Sequence, residues 1–105
     1  MTRADDFDNT SWKLRQFFGA YFHEDWSLDA NDTEEVVEQY LAENRVSPEQ
    51  AAKLAARIDQ IIATHPESEL KRVLFDTWGS YYAATAPETY ATWLAEIAAR
   101  FRQVT

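Results

Sequence analysis

The fold is decided by residues 47–65, which read SPEQAAKLAARIDQIIATH. The apolar residues of this stretch recur every three or four positions, as they do along one face of an α-helix. Ser47 is a suitable N-cap, Pro48 suits the first helical turn, and Gln50 stands where a capping box is completed. Because Pro66 follows directly and cannot continue a helix, the stretch predicts one amphipathic helix with a defined start and end.

Stripes with the same spacing lie on both sides of this stretch. Those before it consist of Leu14, Phe17, Phe18, Tyr21 and Phe22, and, after a cap expected at Asp32, of Val36, Val37, Tyr40 and Leu41. Those after it consist of Leu70, Val73, Leu74, Thr77, Trp78 and Tyr81, and of Tyr90, Trp93, Leu94, Ile97, Ala98 and Phe101. We expect the last helix to begin with Thr85 as its cap, Pro87 in its first turn and Glu88 at the capping-box position. No segment alternates with the two-residue period of a strand, so the sequence predicts an all-α fold, a compact bundle of about five helices with no sheet.

The composition supports a single hydrophobic core. Of the 105 residues, 46% are hydrophobic and 14% are aromatic, which is enough for one domain of this size. We therefore predict one domain over residues 1–105, with residues 1–9 as a flexible N-terminus. The absence of cysteine excludes disulfides and suits a cytoplasmic protein. The polar N-terminus does not resemble a signal peptide, and no apolar run reaches the length that a membrane span needs.

Both glycines, Gly19 and Gly79, fall inside helical patterns. Glycine in a helix costs about 1 kcal/mol relative to alanine. We therefore expect close backbone approach at both positions, with a small residue facing solvent as the alternative.

The negative charge is confined to the first part of the chain. The net charge is −8, and residues 1–44 contain eleven Asp or Glu and three Lys or Arg, whereas residues 45–105 contain seven of each. No Lys or Arg occurs between Glu24 and Asn44. Such a field repels phosphate backbones and anionic lipids and attracts a basic partner. The sequence therefore argues against direct binding to nucleic acid or membrane.

The acidic segment also contains apolar residues, notably Trp26, Leu28 and Tyr40. A run of like charge is often only a solvated face, but ordinary surfaces mix both signs, and apolar side chains among the charges are typical of an interface. The predicted contact residues are Glu24, Asp25, Trp26, Asp29, Asp32, Glu34, Glu35, Glu38, Tyr40 and Glu43.

The usual signatures of enzymes are missing. The chain has no glycine-rich phosphate loop, no GxSxG and no HExxH motif. His23, Glu24 and Asp25 could supply metal ligands, but consecutive side chains diverge and seldom face one ion together. We expect them instead to end a helix by hydrogen bonding, and we expect His65 to lie exposed in a turn. No catalytic residue, metal or cofactor is predicted.

Residues 21–26, which read YFHEDW, resemble the N-terminal signature of a family of small bacterial immunity proteins from contact-dependent growth inhibition (CDI) systems. Members of that family typically have YFHQDW, so Glu24 stands where glutamine is common. The resemblance includes the preceding residues 14–20, the acidic second helix, residues 78–82 (WGSYY) and the segment from Tyr90 to Leu94. It covers nearly the whole chain.

This resemblance implies a specific function. The protein would bind the C-terminal toxin domain that a neighbouring cell delivers on a large exoprotein, and would neutralise it in the cytoplasm. Many such toxins are nucleases, whose basic clefts suit an acidic inhibitor. The shared aromatic residues Tyr21, Phe22 and Trp26 would then belong to the core and the acids to the contact face. The alternatives are an acidic adaptor for a basic host protein and, third, a small hydrolase that uses His23.

Overall fold

The five predicted helices are present in a computed structural model, which describes residues 10–23, 32–84 and 87–104. They are α1 (Thr10–Tyr21), α2 (Thr33–Asn44), α3 (Pro48–Thr64), α4 (Glu67–Trp78) and α5 (Tyr90–Arg102). These ranges contain no strand, so the all-α prediction is confirmed. The expected flexible terminus, residues 1–9, lies outside the described residues.

Two helix starts follow the capping pattern in the sequence. The Asp32 carboxylate accepts a hydrogen bond from the Glu35 N–H at 2.8 Å, and Ser47 Oγ accepts one from the Gln50 N–H at 3.1 Å, with Pro48 in the first turn of α3. Each bond satisfies a backbone donor that the first turn of a helix leaves without an internal acceptor.

The predicted extension of α4 to Tyr81 was wrong. Gly79 has a φ angle of 75° and takes the left-handed conformation that ends the helix at Trp78. The Ser80 N–H then donates to the Leu74 carbonyl at 2.9 Å, a bond typical of a glycine C-cap. Tyr81 is consequently 48% exposed instead of lying on the buried stripe.

The predicted start of α5 was also wrong. Its N-cap is Thr89, whose Oγ1 accepts from the Thr92 N–H at 3.1 Å. The Thr92 hydroxyl oxygen accepts in return from the Thr89 N–H at 3.0 Å. This reciprocal pair forms the capping box, so Pro87 and Glu88 precede the helix. Thr85, the predicted cap, lies outside the described residues.

The core is built largely from aromatic rings. Phe17 of α1 lies 4.9 Å from the Tyr40 ring of α2 and 5.5 Å from the Phe101 ring of α5, measured between ring centroids. Phe22 is fully buried and lies 5.1 Å from Trp93. These contacts join α1, the residue that follows it and α2 to α5.

The expected backbone approach is found at Gly79 but not at Gly19, which is exposed and where an added Cβ atom would meet nothing within 4 Å. A Cβ atom placed on Gly79 would lie 3.5 Å from the Gly19 Cα. Nearby, the Tyr81 N–H donates to the Phe22 carbonyl at 2.8 Å. The end of α1 is therefore fixed against the segment that follows α4.

In the described part of the chain, no helix combines the length and apolar character that crossing a membrane requires.

Replacing Phe22 with alanine should cost about 3–5 kcal/mol of the free energy of unfolding, because it leaves a cavity beside Trp93. Urea denaturation measures this loss. Phe75→Ala is the matched control: Phe75 is 48% exposed, so its truncation should cost much less. A Phe22→Ala variant as stable as the unmodified protein would show that the ring is not part of the core.

Candidate protein-binding face

Helix α2 has one buried side and one acidic side. Val36, Val37 and Tyr40 are buried, whereas four carboxylates are exposed, those of Glu34, Glu35, Glu38 and Glu43. With Asp32 at the N-cap, these residues form what we call the acidic face. The predicted acids that the structure describes are thus all on the exposed surface of α2 or at its N-cap, with Glu34 and Glu38 toward α5 and Glu43 beside Tyr21 of α1.

Tyr40 does not belong to this surface. Its side chain is only 4% exposed and packs between Phe17, Tyr21 and Phe101. Its ring therefore stabilises the core and is not available as an apolar anchor for a partner. The other predicted contacts, Glu24, Asp25, Trp26 and Asp29, lie outside the described residues.

Both ends of α2 are held by other parts of the molecule. At the first turn, the Trp93 Nε1–H donates to Thr33 Oγ1 at 2.9 Å. At the last turn, the Tyr21 hydroxyl donates to Glu43 Oε1 at 2.5 Å. These contacts fix the position of the helix, so the carboxylates are presented by a preorganised element.

A cation from a distant part of the sequence lies beside the acidic face. Arg100 of α5 forms an ion pair with Glu38 and lies 4.0 Å from Glu34. No Lys or Arg occurs between Glu24 and Asn44 in sequence, yet the fold supplies Arg100 from the other end of the chain. Glu34 remains 68% exposed, which leaves its carboxylate accessible to a partner.

Glu43 is kept ionised by its neighbours. Hydrogen bonds from the Tyr21 hydroxyl and, at 3.0 Å, from the Gln39 amide hold the pKa of the Glu43 carboxyl below its ordinary value. The pKa of Tyr21 is raised, first because the phenol is partly buried and then because it donates to Glu43. Both shifts favour a donating phenol and a charged carboxylate at neutral pH.

A groove of about 380 Å³ runs between α2 and α5 beside the acidic face. Among the residues that line it are Glu34 and Val37 of α2 and Glu96, Ile97 and Arg100 of α5. Its lining thus combines the carboxylates of Glu34 and Glu96 with the aliphatic side chains of Val37 and Ile97 and the guanidinium of Arg100. Sequence reasoning missed Glu96, because the charges were compared along the chain and Glu96 joins the acidic face only through the packing of α5 on α2.

Three large apolar side chains were also missed as surface residues, namely Trp12, Phe75 and Tyr81. The exposure of Tyr81 could have been inferred from Gly79, because glycine is the residue type that most often ends a helix.

In residues 10–23, 32–84 and 87–104, no three His, Asp or Glu side chains are placed to hold a metal ion. His23 lies within those ranges, but Glu24 and Asp25, which were considered with it, do not. His65 follows the end of α3, and its Nδ1 lies 3.9 Å from a Glu69 carboxylate oxygen.

The fold and the acidic face together define a small helical protein suited to binding another protein. The family model of the CdiI immunity proteins matches residues 11–101, and the chain belongs to this family. The resemblance noted in the sequence is thereby confirmed. No curated protein and no solved structure matches the chain.

The Tyr21–Glu43 hydrogen bond should make stability depend on pH. Because the pKa of Glu43 is lowered in the folded protein, this contribution is present above the ordinary pKa of about 4.5 and is lost as the pH falls through the lowered value. Tyr21→Phe should therefore reduce the melting temperature at pH 7, and the difference from the unmodified protein should narrow below pH 4.

Tyr81→Phe is the control, since Tyr81 is exposed and its hydroxyl has no counterpart to the Glu43 contact. It should leave the melting temperature unchanged at both pH values. A deficit of Tyr21→Phe that stays constant with pH would mean that the charge of Glu43 does not contribute.

Proposed function

We propose that this protein is an immunity protein that binds and neutralises the C-terminal toxin domain of a CDI exoprotein in the cytoplasm. The observation that carries the proposal is the match of the CdiI immunity family over residues 11–101. The fixed acidic face supports the finer proposal that inhibition occurs by occlusion and that the covered toxin surface is basic. A nuclease suits this description, because a cleft that binds phosphates is positively charged.

Neutralisation in this proposal requires binding alone. The carboxylates of α2 steer a basic domain toward the protein, and this attraction raises association rates toward about 10⁸ M⁻¹s⁻¹ at low salt. Because Thr33 and Glu43 are tied to the core by hydrogen bonds, little conformational freedom of α2 is lost on binding. No catalytic step and no cofactor is assigned to the chain.

The acids best suited to a binding test are those with the weakest structural contacts. Glu38 forms the close ion pair with Arg100, so its reversal to lysine would place two cations together and disturb the fold. Glu34 is farther from Arg100, at 4.0 Å, and is 68% exposed, so its reversal should disturb the fold less. Glu67 accepts hydrogen bonds from the Tyr90 and Ala91 N–H groups at 2.7 and 3.0 Å, so it supports the start of α5. Neither Glu38 nor Glu67 is suitable for a charge-reversal test.

The test is therefore the double variant Glu34→Lys and Glu35→Lys, measured against the toxin domain encoded beside this gene. We expect the Kd to rise at least about 100-fold, because close charge pairs contribute roughly 1.5 kcal/mol or more each. The association rate of the unmodified protein should also fall as salt is raised, since salt screens long-range attraction.

The matched control is the double variant Glu49→Lys and Asp76→Lys. Glu49 lies in the first turn of α3, as Glu34 and Glu35 lie in the first turn of α2, so its reversal carries the same loss of about 0.3–1 kcal/mol at a helix N-terminus. Asp76 lies in the last turn of α4 and brings the control to the same change of charge. The control should bind like the unmodified protein. Equal weakening by both variants would show that the acidic face is only a solvated surface, and binding only to unrelated basic proteins would favour the adaptor function.

A further inference from the structure

Two arginines lie over the ring of Trp78. The guanidinium carbon of Arg15 is 5.9 Å from the indole centroid, and that of Arg57 is 5.7 Å away. Arg15 comes from α1, Arg57 from α3 and Trp78 from the last turn of α4, so three helices bring these groups together. Cations at this distance from an indole are attracted by its π-electrons.

Neither arginine is paired with a carboxylate in the part of the chain that the structure describes. Arg15 Nε donates to the Thr77 carbonyl at 3.2 Å. Arg57 Nε donates to Ser11 Oγ at 3.0 Å, and its Nη1 donates to the Gln60 side-chain oxygen. All of these acceptors are neutral.

The two arginines of α5 each have a carboxylate partner. Arg100 pairs with Glu38, and Arg102 Nη2 lies 2.5 Å from an Asp59 carboxylate oxygen. The chain has 18 acidic residues and 10 Lys or Arg, so carboxylates are plentiful. Arg15 and Arg57 differ from these two arginines, since the described residues give neither of them a carboxylate partner.

A groove of about 420 Å³ opens beside Arg57, between α3 and α4. Arg57, Gln60 and Ile61 contribute to it from α3, and Val73, Thr77 and Trp78 from α4. No Asp or Glu is among the described residues that line it.

His65 also lines this groove. It is the C-cap residue of α3, and its Nδ1 lies 3.9 Å from a Glu69 carboxylate oxygen. Arg57 and His65 are eight residues apart along α3 and its C-cap, so Glu69 is beside the His65 part of the lining.

The lining fits one anionic side chain. A guanidinium has five N–H donors, of which Arg57 uses two on Ser11 and Gln60, so donors remain for a carboxylate. The aliphatic carbons of Ile61 and Val73 can pack on its methylene groups. A doubly charged phosphate fits less well, because the net charge of −8 repels a dianion more strongly than a single carboxylate.

We propose that the groove between α3 and α4 binds one Asp or Glu side chain of a protein partner, with Arg57 as the residue that pairs with its charge. This carboxylate site is separate from the acidic face. It binds an acidic group, whereas the acidic face binds a basic one. It does not depend on the function proposed above.

The site is tested on the full chain by NMR titration with N-acetylglutamate amide, which carries a single side-chain carboxylate. The signals followed are the Trp78 indole N–H and the Arg57 Nε–H. At constant ionic strength we expect saturable shifts of both signals with a Kd of about 1 mM, which corresponds to roughly 4 kcal/mol of binding free energy. The neutral probe N-acetylglutamine amide should bind at least tenfold more weakly, and inorganic phosphate should also bind more weakly.

Two variants locate the charge that is responsible. Arg57→Gln should lose the response of the Trp78 indole, whereas Lys53→Gln, which removes an exposed cation of the same helix, should retain it. Because Arg57 also contacts Ser11 and Trp78, the melting temperature of Arg57→Gln is checked first. If that variant is unfolded, the proposal is tested by comparing the binding of the glutamate and glutamine probes to the unmodified protein.

Three outcomes would overturn the assignment. They are equal shifts with the glutamate and glutamine probes, a response to phosphate that exceeds the response to the carboxylate, and an equal loss of binding in Lys53→Gln and folded Arg57→Gln.

Discussion

The indole of Trp93 connects the aromatic core to the acidic helix. Its ring is fully buried and stacks on Tyr82 with centroids 4.1 Å apart and planes nearly parallel. Its Nε1–H donates to Thr33 Oγ1 in the first turn of α2. The same side chain therefore fills the core and holds the first turn of α2 in position. Buried aromatic side chains with one polar group combine these two effects, because the ring excludes water and the N–H requires a partner.

The position of α2 determines what its charges can do. Four exposed carboxylates on one helix repel one another, and this repulsion lowers the stability of the helix unless other groups offset it. The fold offsets part of this repulsion through Arg100, which pairs with Glu38, and through Tyr21, which donates to Glu43. Glu34 is left largely exposed. The same arrangement thus holds the helix in place and leaves negative charge for a partner, consistent with an immunity protein of the CdiI family.

The helices and most of the core were predictable from the sequence, because apolar spacing and caps such as Ser47 act locally. The end of α4 and the start of α5 were not predicted correctly. Residues next to Gly79 and Thr89 would also suit a helix or a cap, and the hydrogen bonds that make Gly79 the C-cap and Thr89 the N-cap form only in the folded chain. The acids of α2 were identified from composition, but the burial of Tyr40 depends on packing against Phe17. Pairings between distant residues cannot be inferred from spacing alone.

The central claim is that the exposed carboxylates of α2 lie against the toxin domain. Carbodiimide labelling with glycine ethyl ester, read by mass spectrometry on the free protein and on its complex with the toxin domain encoded beside this gene, measures the accessibility of each carboxylate. The account predicts that labelling of Glu34 and Glu35 falls strongly in the complex while labelling of Glu49 and Asp76 stays unchanged. Unchanged labelling of Glu34 and Glu35 in a saturated complex, or protection confined to Glu49 and Asp76, would contradict it.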